Sequence, residues 1–145
     1  MSAAELASLL DERAVLRVLA ECAHALDGHD VAAWVDAFTP EGIFDVVEVG
    51  GRRLHREEGH ADLTRWVQAA PAGRERRHVL ADPLVALDGD EARVESCWVL
   101  LERDARAHPV VGAFGRYSDR LVKRDGRWRI AERRAEVEAT TRTPG

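Results

Sequence analysis

The sequence has little cysteine, no long apolar run and no surplus of basic charge, and each shortage removes a class of function. The two cysteines, Cys22 and Cys97, lie far apart and form no CxxC pair, so neither a zinc site nor a thiol redox motif is supported. No apolar stretch approaches the roughly 18 residues that a membrane-crossing helix needs. Residues 1–10 carry Glu5 and lack the basic start and apolar centre of a signal peptide. A cytoplasmic protein without a membrane partner is expected. Acidic residues number 26 against 21 Lys plus Arg, a net charge of −5, which offers no footprint for nucleic acid. Arg74, Arg76 and Arg77 do cluster, but carboxylates interrupt the run.

What is present is an ordinary globular balance, 46% hydrophobic and 32% charged over 145 residues. That length suits one domain over residues 1–145 with a single core, able to stand without disulfides.

Hydrophobic spacing then divides the chain. Val15, Leu16, Leu19, Cys22, Ala23 and Leu26 recur at threes and fours, which predicts an amphipathic helix over 12–26, capped by Asp11 and ended at Asp27-Gly28. A second, short helix starts at Asp30 and presents Trp34, Val35 and Phe38 before Pro40 stops it. Residues 42–49 switch to an extended pattern, and Gly50-Gly51 turns the chain back through 52–55. A third helix over 59–69 places Leu63, Trp66 and Val67 on one side, with Pro71 and Gly73 closing it. From His78 the chain reads as strands: 78–87 and 92–102 about Asp88-Gly89, then 110–123 and 127–137 about Asp125-Gly126. Asp-Gly between β-rich runs is a strong hairpin signal. Residues 140–145 read as a frayed tail. The expected fold is α+β, a cone-shaped barrel in which three N-terminal helices pack in a strongly curved antiparallel sheet.

Two residues stand out chemically. Asp27 ends the first helix and His78 opens the first long strand. A carboxylate bound to one imidazole nitrogen fixes the tautomer, orients the ring and raises its basicity. Periodicity alone does not pair them, because Asp27 could equally cap a turn and His78 serve as a polar strand-end residue. His24 and His29 read as solvent-facing, and His55, His60 and His108 show no ligand spacing, so no metal site is expected. Arg52-Arg53 reads as a solvated edge that discourages strand addition.

Several segments resemble, in order, the SnoaL-like group of the nuclear-transport-factor-2-like superfamily. They are Leu26-Asp27-Gly28-His29-Asp30, Trp34-Val35-Asp36-Ala37-Phe38-Thr39-Pro40-Glu41-Gly42, Arg77-His78-Val79-Leu80, Gly115-Arg116-Tyr117-Ser118-Asp119-Arg120-Leu121-Val122 and Asp125-Gly126-Arg127-Trp128-Arg129-Ile130. The likeness spans about residues 10–138 and is greatest to scytalone dehydratase, bile acid 7α-dehydratase and lindane dehydrochlorinase. It implies a catalytic dyad of Asp27 and His78, assisted by Arg133 on the last strand. It also implies proton abstraction from a hydrophobic cyclic small molecule with no cofactor, as in a dehydratase or polyketide cyclase.

The implied substrate-binding residues are Cys22, Phe44, Trp98, Leu100 and Tyr117; Tyr117 could also donate a proton, and Phe44 and Trp98 could equally be core packing. Two departures from the group's pattern matter. Cys22 stands where these enzymes tend to place Tyr or Lys. Strict alternation also puts Trp128, Ile130 and Glu132 on one face and Arg133 on the other, so either the strand bulges or Arg133 faces outward. The resemblance further admits a non-catalytic ligand-binding module or structural subunit, as in ring-hydroxylating dioxygenases, and an epoxide hydrolase or epoxide-opening cyclase. Those subunits are usually longer and extended at the N-terminus, which weighs against that reading. Self-association through the outer sheet face, with Val99 and Leu101, is expected, dimer ahead of trimer.

Overall fold

The computed structural model describes residues 1–70 and 75–141; Pro71, Gly73, Arg74 and residues 142–145 lie outside the described residues. The elements are α1 (Ala3–Asp27), α2 (Val31–Asp36), β1 (Phe38–Glu48), β2 (Arg53–Glu58), α3 (Gly59–Ala69), β3 (Arg76–Asp88), β4 (Glu91–Arg103), β5 (Pro109–Arg124) and β6 (Arg127–Thr140). No helix among the described residues is long and apolar enough to cross a membrane.

Helix α1 starts nine residues earlier than its core-facing periodicity predicts. Ser2 accepts from the Glu5 amide at 3.1 Å, and the Glu5 carboxylate accepts from the Ser2 amide at 2.6 Å. This capping box satisfies two amides that the helix start would otherwise leave open. Leu6, Leu9 and Leu10 on these extra turns are about half exposed, so the core gives no sign of them. Asp11 is therefore no cap: it accepts from Trp128 Nε1 and Lys123 Nζ, both at 2.9 Å, tying α1 to the β5–β6 hairpin. Further along, Val15, Leu19, Cys22 and Ala25 are buried; enclosing Val15 and Leu19 is worth about 2 kcal/mol each.

Asp30 caps α2 as expected, accepting from the Ala33 amide at 3.1 Å. The helix ends at Asp36, and Phe38 opens β1 instead of extending α2. The residue before a proline avoids helical backbone, and Phe38 is fully buried with its ring 5.0 Å from that of Trp34.

The six strands form one sheet in the order β2-β1-β6-β5-β4-β3. It is curled but unclosed, with β2 and β3 as its edges. Every neighbouring pair is antiparallel except β1 and β6, which run parallel. The free side of the β1–β2 hairpin thus docks on the last strand of the meander. Asp125 and Gly126 turn β5 into β6 with φ of 51° and 75°, the double positive φ of a type I′ turn. At the first long hairpin the two turn residues are Gly89 and Asp90, with Asp88 and Glu91 already paired. Thr140 of β6 pairs with Ala113 of β5, and the Thr141 amide donates to Gly112 O at 2.9 Å, so these two residues are held by strand pairing rather than frayed.

Strand β6 carries the irregularity on which Arg133 depends. Arg120 pairs with Glu132 and Leu121 with Ile130, so Ala131 is one residue in excess. Before it Trp128 and Ile130 are buried; after it Arg133 and Ala135 are. A single inserted residue reverses which alternate side chains face inward. The bulge turns Arg133 into the concave side.

Candidate functional site

The concave face is laid out in rows by the strand register. Leu100 of β4 lies beside His78 of β3, and Trp98 beside Leu80. Gly115 of β5 stands opposite Trp98, Ala135 of β6 opposite Tyr117, and Arg133 opposite Asp119. Of these rows His78, Leu100, Trp98, Tyr117 and Ala135, together with Trp66 of α3, line a cavity of about 500 Å³, within the range of small-molecule sites.

His78 comes to this cavity from the start of β3, beside the end of α1. Both carboxylate oxygens of Asp27 accept from the His78 amide at 3.0 Å, and Oδ1 lies 2.6 Å from ring Nδ1. Helix end and strand start are therefore locked by one side chain. A carboxylate that only accepts places the proton on Nδ1 and leaves the Nε2 lone pair free. The two side chains are 15% and 12% exposed. Burial holds the imidazole below the ordinary histidine value of 6.5, against the pull of Asp27 and with the help of the Arg76 and Arg133 charges. His78 is thus neutral near neutral pH, with a fixed tautomer and a ring on the cavity wall. Asp27 stands behind it and borders an outer groove with Leu16, Val79 and Pro83.

Phe44, Trp98, Leu100 and Tyr117 all line the cavity. The Trp98 and Tyr117 rings stack at 5.8 Å and 27°. Gly115 permits this close layer, since a Cβ there would lie 1.8 Å from Glu136 O and 3.0 Å from the Trp98 ring. Burial raises the Tyr117 hydroxyl to about 12, so it remains a hydrogen-bond donor across the physiological range.

Arg133 and Cys22 occupy a layer behind this wall. The Arg133 guanidinium donates to Asp119 through Nε at 2.7 Å and Nη2 at 3.0 Å, and to Cys22 Sγ through Nη1 at 3.8 Å. Its Cζ lies 4.0 Å above the centre of the Tyr117 ring, and neither Arg133 nor Cys22 is among the lining residues. Burial opposes the guanidinium charge most strongly, but Asp119, Cys22 and Tyr117 together outweigh it and raise the Arg133 pKa. Burial also pushes the Cys22 thiol up to about 11, keeping it protonated. The structure therefore brings Asp27 and His78 together and sets Arg133 against Tyr117, one layer from the cavity.

Two residues escaped the sequence reading. Asp119 is two positions after Tyr117, so alternation puts it on the same inward face, where a carboxylate requires a partner. His55, read as bland, lines the cavity beside Trp66, placed there by pairing with Val46. Arg52 and Arg53 are engaged rather than loose: Arg52 donates to Glu48 at 2.8 Å, and Arg53 forks onto Asp45 at 2.7 and 3.2 Å.

No curated protein matches the chain. Among solved structures, Rv3472 from Mycobacterium tuberculosis, a protein of unknown function, is 26% identical, with a TM-score of 0.84 over 97% of this chain and 79% of that one. A beta subunit assigned to an aromatic-ring-hydroxylating dioxygenase of Novosphingobium aromaticivorans also reaches 0.84, at 16% identity, over 94% of this chain and 95% of that one. A protein of the same organism assigned as a scytalone dehydratase reaches 0.78 at 19% identity, over 95% and 91%. At such identities the last two likenesses speak for the fold alone. The SnoaL-like domain profile matches residues 7–134, a span that holds Asp27, His78 and the bulge before Arg133. The chain accordingly belongs to the SnoaL-like domain family, built on the nuclear-transport-factor-2-like, cystatin-like fold.

Proposed function

We propose that the chain is a cofactor-independent lyase or isomerase that takes a proton from a hydrophobic cyclic small molecule. The observation that carries this reading is the 2.6 Å contact between Asp27 Oδ1 and His78 Nδ1, with the imidazole on the wall of a mainly apolar cavity that also holds a few polar groups. The free Nε2 removes a proton from a ring carbon next to a carbonyl, and Asp27 stabilises the imidazolium that forms. In an elimination the C–H electrons become the new C=C bond as the β-hydroxyl departs. The imidazolium returns its proton to that hydroxyl, so water leaves and His78 is regenerated. Tyr117 steadies the carbonyl or departing oxygen by hydrogen bonding, and Arg133 acts on it through the ring of Tyr117.

The test is elimination from 3-hydroxycyclohexanone and its ring-fused analogues, followed by the absorbance of the conjugated enone. The wild-type chain should produce enone and His78→Ala should not; equal rates would sink the mechanism.

A non-catalytic role as a ligand-binding or structural subunit draws on one observation. The dioxygenase beta subunit is covered over 95% of its length, so greater subunit length does not separate the two classes here. Co-purification with a larger iron–sulfur protein would favour that role. In either case the exposed Leu101, Val111 and Phe114 on the outer sheet face fit self-association, which sedimentation of the wild type against Phe114→Glu would read as dimer against monomer.

A further inference from the structure

The cavity holds a second imidazole that the dyad does not use. His55 sits on β2 and His78 on β3, the two edges of the curled sheet, and both line the same cavity. His55 shares a cross-strand row with Tyr117 through Val46 and Ala135. Its ring is held by aromatic packing rather than by a hydrogen bond: it stacks on Trp66 at 5.3 Å and 26° and meets Phe44 edge-on at 5.5 Å.

The two ring nitrogens differ. Nδ1 is buried without a hydrogen-bond partner, with Glu57 Oε1 3.6 Å away, beyond hydrogen-bond reach but near enough for its charge to favour a proton on Nδ1. Nε2, by contrast, is neither a buried unpartnered atom nor engaged by a hydrogen bond among the described residues, so on a ring that lines the cavity it is the nitrogen open to accept a hydrogen bond. Burial lowers the pKa of the ring against the pull of Glu57 and Asp45, so a cation is not its resting form. A neutral, oriented acceptor between two aromatic walls has one evident use.

We propose that His55 is a substrate-binding residue whose Nε2 accepts a hydrogen bond from a hydroxyl on an aromatic ring system, fixing that end of the molecule while the other faces His78. This rests on the cavity being a small-molecule site, and not on the proton chemistry of the dyad.

The experiment measures binding rather than turnover, so it stands or falls separately from the elimination test. Binding of 2-naphthol, which has a hydroxyl donor, is compared with that of 2-methoxynaphthalene, which does not, by tryptophan fluorescence. The wild type should prefer 2-naphthol by about five- to tenfold, the value of one hydrogen bond. His55→Phe should bring the ratio close to one, and His55→Gln, which keeps an acceptor, should restore part of it. In the unaltered protein, ¹⁵N spectra should show the His55 Nε2 signal moving with 2-naphthol and not with 2-methoxynaphthalene, which keeps the test valid should a variant fold poorly. A preference unchanged in His55→Phe, a still Nε2 signal, or failure of the wild type to bind either probe would overturn the assignment.

Discussion

The Asp27 carboxylate grips His78 at two places, the backbone amide at 3.0 Å and ring Nδ1 at 2.6 Å. The first contact fixes where β3 starts relative to the end of α1, and the second fixes which nitrogen carries the proton. One side chain thereby sets both the docking of helix on strand and the tautomer of the ring.

Replacing Asp27 with Asn separates these two tasks. The amide oxygen can still accept from the His78 backbone, but the charge that supports an imidazolium is gone. Turnover should fall by about 10²–10⁴-fold, as for loss of the orienting acid beside a catalytic histidine, while the thermal midpoint moves only a few degrees. Paired rate and melting measurements check this.

The lowered pKa of His78 sets the pH response. Between that value and 6.5 the unfolded chain binds more protons than the native one, so stability is present above 6.5 and declines as pH falls through this interval. His55 has the same sign. The kcat/KM profile should accordingly fall on the acid side with a midpoint below 6.5, and denaturant melts should show the wild type losing more stability from pH 7 to pH 5 than His78→Gln.

Arg133 and Asp119 form a buried pair with side chains 6% and 0% exposed. Removing either partner strands a charge, and Arg133→Met or Asp119→Leu should each cost about 3–5 kcal/mol. The double variant should cost less than either single one. Urea titration of the three variants gives the coupling directly.

Gly115→Ala tests the layer beneath the aromatic wall. Its methyl would collide with the carbonyl of Glu136, which is backbone and cannot swing aside. Parting β5 from β6 should cost about 3 kcal/mol, at the upper end for overpacking, and disturb the fluorescence of Trp98.

Much of this layout was legible in the sequence because local rules agreed with one another. The spacing from Val15 to Leu26 marks the buried stripe of α1, and Asp-Gly at 125–126 dictates its turn through the φ values it tolerates. Other features depend on partners distant in the chain. The bulge at Ala131 exists only as a mismatch with β5, so alternation along β6 by itself leaves the direction of Arg133 open. The parallel docking of β1 on β6 is equally invisible locally. His55 looked plain because its significance comes from the curl of the sheet, which carries β2 round to the cavity that β3 also borders. The first turns of α1 were missed for another reason: their signal is the Ser2–Glu5 capping box, not a buried face.

The central claim is that His78, held by Asp27, is a base aimed into the cavity. It is tested most directly by the rate at which the protein exchanges the ring protons next to the carbonyl of 2-tetralone for deuterium in D₂O, read by proton NMR. The account predicts exchange well above the buffer rate for the wild type and at the buffer rate for His78→Ala, with the folded content of the two unchanged. Equal exchange by both proteins would contradict it.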